Sequence, residues 1–165
     1  VIVDSLPLTL AEVQQRTNLP LREQRTSARK MPAPEEVWNS SALTQFIRVS
    51  ADTPRADPNG KLINEDVKGF CLVTQTIAFY RDNNSARDVF DKLAKGMRDA
   101  AGSTVTSSDG KSLVVNSEQR GTGKEVTVLR GERNMLAQVY VLPAASNEGA
   151  ISVAETIFSK MNRVD

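Results

Sequence analysis

Apolar residues recur at helical spacing in two stretches of the chain. Ala86, Val89, Phe90, Leu93, Ala94 and Met97 lie three and four positions apart, with Ser85 and Asp88 at cap spacing before them and Gly102 as a stop after them. Ala150, Val153, Ala154, Ile157, Phe158 and Met161 form a second stripe that starts near Ser146 or Asn147. Period two replaces period three to four between Val67 and Tyr80, where Cys71, Val73, Ile77 and Phe79 share one face of a long strand that Gln75 interrupts. Short strands at 104–106, 112–117, 125–130 and 135–142 are punctuated by turns at Ser108-Asp109-Gly110, Gly121-Thr122-Gly123 and Gly131 to Asn134. They read as an antiparallel meander.

The first third of the chain is less regular. Thr9 and Glu12 stand at capping-box spacing, so a short helix is expected to run to Asn18 before Pro20 ends it. Residues 21–34 carry Arg22, Arg25, Arg29 and Lys30 against Glu23 and read as an exposed basic connector. Pro34, Glu35 and Glu36 are a good helix start, and Val37, Trp38, Phe46 and Ile47 suggest an apolar face reaching Val49, interrupted by Asn39-Ser40-Ser41. Residues 51–60, with two prolines and an Asn-Gly pair, read as a surface loop.

Striped helices and a sheet of hairpins bury each other's apolar surfaces when the helices cover the sheet. The expected fold is therefore α+β: an antiparallel sheet of about four to five strands, with the helices at about 85–101 and 147–162 on one face. Residues 1–34 are read as a short helix and connector, and 35–165 as a single α+β domain. No repeat period or low-complexity segment competes with that reading.

Composition narrows the chemistry more than the fold. The 165 residues include no histidine, which removes Ser-His-Asp and Cys-His nucleophilic systems and histidine-containing zinc sites. Cys71 is the single cysteine, so the chain forms no internal disulfide. With 21 Lys+Arg against 20 Asp+Glu, the net charge of +1 offers no electrostatic footprint for nucleic acid. No stretch approaches the roughly 18 consecutive apolar residues that a membrane span needs. The chain opens at Val1 without an initiator Met, which suggests a processed or trimmed start.

Gly121-Thr122-Gly123-Lys124 resembles the end of a phosphate-binding loop, but Glu118 stands where its first glycine belongs and Glu125 where Ser or Thr should hold magnesium. A hairpin turn is the expectation. Arg120, Lys124, Arg130 and Arg133 crowd two turns that could meet at one end of the sheet and bind a carboxylate or phosphate, or a protein partner. Glu118, Glu125 and Glu132 interleave with them, so the same residues also read as a solvated edge that resists strand-to-strand pairing. Asp82, Asp88 and Asp91 suit a helix N-terminus, Asp57-Pro58-Asn59-Gly60 lacks the calcium-loop pattern, and Cys71 belongs to an apolar strand. No catalytic residue, metal ligand or cofactor is assigned.

Cys71 to Val164 carries a resemblance: a strand ending TIAFYRD, a helix ARDVFDKLAKGM, then EVTVLRGERNMLAQVYVL and a closing helix AISVAETIFSKM. This order resembles the sensor-type extracellular domains and lipoproteins of actinobacterial cell envelopes, and LTLAEVQQRTNLPL is similar to their short N-terminal helix. PsbP-like domains share the layout. Sensor domains of the receptor kinases in that group usually carry two disulfides, and this chain departs from them with its single cysteine. The resemblance implies a non-catalytic binding or assembly module outside the cytoplasm, recognising another envelope protein or a small ligand and meeting the membrane through an anchor outside this chain. The alternative is an intracellular enzyme or enzyme subunit that uses carboxylates and arginines on an anionic substrate.

Overall fold

Strand-forming and helix-forming segments alternate through a computed structural model that describes residues 3–29, 31–53, 70–119 and 123–164. Helix α1 (Leu10–Thr17) has the expected capping box, with Thr9 accepting from the Glu12 N–H and the Glu12 carboxylate accepting from the Thr9 N–H, and it ends at Asn18 in the left-handed region. Strands β1 (Glu23–Ala28), β2 (Leu43–Asp52) and β3 (Leu72–Tyr80) follow, then helix α2 (Asn83–Asp99). Strands β4 (Thr104–Ser108), β5 (Ser112–Gln119), β6 (Gly123–Glu132) and β7 (Met135–Leu142) precede helix α3 (Glu148–Val164). The seven strands form one sheet in the order β1-β2-β3-β7-β6-β5-β4, and every neighbouring pair is antiparallel.

Two apolar clusters lie on opposite faces of this sheet. Ile47, Val49, Val73, Ile77, Val126, Val128, Ala137 and Val139 meet α3 and Val13 of α1 on one side. Phe46, Ala78, Tyr80, Leu113, Val115, Leu129 and Leu136 meet α2 and Trp38 on the other. Helices α2 and α3 therefore cover opposite faces, not the same one as their stripes had suggested. The reason is in the strands: β3 places Ile77 and Phe79 on one face and Ala78 and Tyr80 on the other, so the sheet has an apolar region on both sides. Phe90, Leu93, Ile157 and Phe158 are buried as expected.

The sheet also has more strands than expected, because two segments read otherwise are strands. Residues 23–28 of the expected connector pair with β2 as an exposed edge strand. The expected helix over 35–49 is reduced to a 3₁₀ turn at Glu36–Trp38, followed by β2. In β2 the side chains alternate, with Phe46 and Ile47 buried on opposite faces, and such adjacent apolar pairs imitate a helical stripe. Trp38 does anchor this segment: its ring meets Phe46 edge-on at 5.8 Å, and its carbonyl accepts from the Tyr80 hydroxyl at 2.9 Å. Asp82, not Ser85, caps α2, its carboxylate accepting from the Ser85 N–H at 2.7 Å. The expected loop lies outside the described residues from Pro54 onward, and so does the start of the long strand.

Candidate functional site

Helix α2 covers only part of its face of the sheet. Beyond Phe46, Ala78 and Leu136 the same face turns polar: Arg48, Thr76 and Gln138 stand side by side across β2, β3 and β7, and Ser50, Thr74, Tyr140 and Thr127 form the adjacent row reaching β6. With Glu35 at its rim, this surface forms a groove of about 310 Å³. Alternation along each strand produces it, since every second residue faces the same way.

Arg48 organises the groove. Its two terminal nitrogens donate to the Glu35 carboxylate at 2.9 and 2.6 Å, its Nε donates to Thr76 Oγ1 at 2.9 Å, and its guanidinium lies 5.6 Å from the Phe46 ring centre. Such a two-pronged pair fixes the guanidinium plane. Ser50 and Thr74 hydroxyls are 3.3 Å apart, and the Tyr140 hydroxyl donates to Glu125. Burial, followed by the hydrogen bond and charge of Glu125, pushes the Tyr140 phenol well above its ordinary range, so it remains a donor throughout the physiological range. Further along, the buried Asp52 carboxylate pairs with Arg25 at 3.0 Å.

The arrangement presents hydroxyls, an amide and an anchored guanidinium. Glu35 is engaged by Arg48, and Glu125 by Tyr140 and Ser117. The Ser50, Thr74 and Thr76 hydroxyls face no imidazole, because the chain contains none. The groove can orient a polar ligand through hydrogen bonds.

Of the residues singled out in the sequence, Lys124 and Arg133 are not brought together. Lys124 and Arg130 lie near opposite ends of β6 and Arg133 lies in the turn beyond, so Lys124 and Arg133 are separated by about 30 Å of extended chain. Arg120 lies outside the described residues. Arg130 faces α3, with its guanidinium 4.9 Å from the Phe158 ring centre and 3.9 Å from the Glu132 carboxylate. Lys124 belongs to a strand where a nucleotide-binding loop would need a helix. Cys71 is buried, and burial raises its thiol pKa. The groove residues escaped notice because their signal, polar residues at alternate positions, becomes visible only once 43–52 is read as a strand.

The fold is similar to that of the extracellular domain of PknH from Mycobacterium tuberculosis, with a TM-score of 0.69 and 14% identity over 97% of this chain and 94% of that one. Likeness at this level of identity shows the fold alone. No protein-family model matches the chain, and neither does any curated protein.

Proposed function

We propose that this chain is a non-catalytic recognition module of the bacterial cell envelope, lipoprotein-like or sensor-like, which works outside the cytoplasm and binds a small ligand or another envelope protein on the polar half of its sheet. The observation that carries the reading is that half-covered face. A sheet that places Thr76 and Ser50 in buried positions around an anchored Arg48, and leaves a groove above them, has the rigid convergent polar groups of a binding site. The likeness to an extracellular domain supports the compartment. The alternative, an enzyme centred on residues 120–133, would need Lys124 and Arg133 in one site, and β6 holds them apart.

Thr76→Val and Tyr140→Phe keep the shape of the groove and remove its hydroxyls. In a thermal-shift screen of envelope glycan fragments, lipid headgroups and short peptides, a genuine ligand raises the midpoint of the wild type by several degrees and loses most of that shift in both variants. A ligand that stabilises all three proteins equally, or that the protein converts to product, overturns the reading. Fractionation of the native host with protease shaving tests the compartment separately: the proposal requires the protein outside the cytoplasmic membrane.

A further inference from the structure

A second concave site lies at the other end of α2's face, away from the groove. It is a cavity of about 480 Å³ walled on three sides: by Asn83, Asn84 and Arg87 from the start of α2, by Lys111 from the β4–β5 turn, and by Glu132 at the end of β6 with Arg133 in the turn after it. Its floor is apolar, formed by Phe90, Leu136, Ala86 and the backbone of Gly131. The absence of a side chain at Gly131 keeps this floor open, since a Cβ there would stand 2.9 Å from Leu136 Cδ2 and 3.1 Å from Phe90 Cδ2. The size falls in the range of small-ligand sites.

Cations outnumber carboxylates in its lining. Three cations, Arg87, Lys111 and Arg133, line it beside one carboxylate, Glu132, and the acids nearest its rim are held in contacts of their own. Asp82 caps α2, Asp109 accepts from the N–H groups of Lys111 and Ser112 at 2.7 and 2.8 Å, and Glu132 lies 3.9 Å from Arg130. Those hydrogen bonds hold Asp82 and Asp109 below the usual carboxylate range, so both stay ionised in their own caps. Arg87 is positioned in advance: it donates to the Gly110 carbonyl, lies 3.4 Å from Asp91, and stacks over Phe90 at 5.3 Å. The Lys111 backbone carbonyl accepts from Gly131 N–H at 2.8 Å, which locks two of the three walls together. The helix end itself contributes little, because Asp82 already occupies it.

We propose that this cavity binds a small organic oxyanion, a carboxylate or phosphate carried on a flat apolar body, with the anionic group between Arg87, Lys111 and Arg133 and the body over Phe90 and Leu136. Neither the groove nor its ligand is needed for this site, so the two proposals fail independently.

Phenyl phosphate, inorganic phosphate and benzyl alcohol separate the two components of recognition. In ¹H–¹⁵N spectra of the full chain, phenyl phosphate is expected to move the amides of Asn84, Lys111, Gly131 and Arg133 and to leave those of Arg48, Thr76 and Gln138 in place. Inorganic phosphate alone should bind more weakly, and benzyl alcohol weakest. Lys111→Gln and Arg133→Asn are suitable variants, because both residues are exposed and asparagine tolerates the left-handed backbone that Arg133 adopts at φ 56°. Combined, they should weaken phenyl phosphate by about tenfold or more with the spectrum otherwise preserved. Benzoate in place of phenyl phosphate distinguishes a carboxylate from a phosphate preference. Equal affinity in the double variant, shifts confined to the groove, or no shifts in the millimolar range overturn the proposal.

Discussion

Gln75 sits in the middle of an otherwise apolar strand face, and both ends of its amide are engaged. Its carbonyl oxygen accepts from the Leu8 N–H at 2.7 Å, and its nitrogen donates to the Leu8 carbonyl at 3.2 Å, so one side chain satisfies the backbone of a buried residue 67 positions away. Without Gln75 the Leu8 N–H would be stranded, while the Leu8 C=O would keep the Gln24 amide as donor at 3.0 Å. Gln75→Leu keeps the volume and loses the pairing, and it is expected to cost about 1 to 3 kcal/mol. A lowered urea midpoint with an unchanged slope would register that loss. Glu12 shows a different residue-level effect. The Thr9 N–H, aided by Lys160 at 3.0 Å, holds its carboxyl below the usual carboxylate range despite some burial. A pKa lowered by folding means the stabilisation is complete above the ordinary carboxylate pKa and is lost as pH falls through the folded value. Thermal midpoints of wild type and Glu12→Gln measured from pH 7 to about pH 3 should therefore differ most near neutrality and converge in acid.

Among the elements, α1 and α3 meet so closely that a single methyl group decides their spacing. A Cβ at Gly149 would lie 2.9 Å from the Arg16 carbonyl oxygen and 3.1 Å from Thr17 Cα, both backbone atoms that no rotamer change can move. Alanine is the better helix former by about 1 kcal/mol, but the clash is with backbone, so Gly149→Ala is expected to lower stability in spite of that gain. On the opposite face, Leu93→Ala should cost about 2 to 5 kcal/mol, because Leu93 is buried in the cluster beneath α2. Calorimetric midpoints check both. These helices were legible in the sequence: each carries one apolar stripe, and the capping box of Thr9 and Glu12 marks the start of α1. The strands β1 and β2 were not legible. β1 is a polar edge with little burial to mark it, and β2 contributes to both cores, so its apolar residues follow no single period. The candidate site followed the same division. Arg133 could be picked out as a turn residue, whereas Arg48 acquires meaning only through Thr76 and Glu35, which lie on other elements.

At the scale of the whole molecule, two apolar clusters sandwich the sheet, and Cys71 belongs to the one beneath α3. Burial withdraws its thiol from solvent and raises its pKa, which opposes formation of the reactive thiolate. Native protein should therefore react slowly with a thiol reagent and take up one equivalent promptly on unfolding, so the labelling rate reports global opening; fast labelling of the folded protein would place Cys71 outside the core. The strand order carries a further consequence. β1, β2 and β3 form one local meander and β4 to β7 a second, and within the sheet a single seam, β3 against β7, joins the two. Local pairings close at little entropic cost, whereas the seam must wait for both halves. Helix α2 leaves the first meander and packs across β6 and β7 of the second, so the halves share a large apolar surface as well as a ladder of hydrogen bonds. The exposed stretch from Ala100 to Gly102, just before the second meander begins, is thus a natural place to divide the gene. Two separately expressed fragments cut there should find each other and restore the sheet by complementation, which would make this fold a candidate for a split reporter.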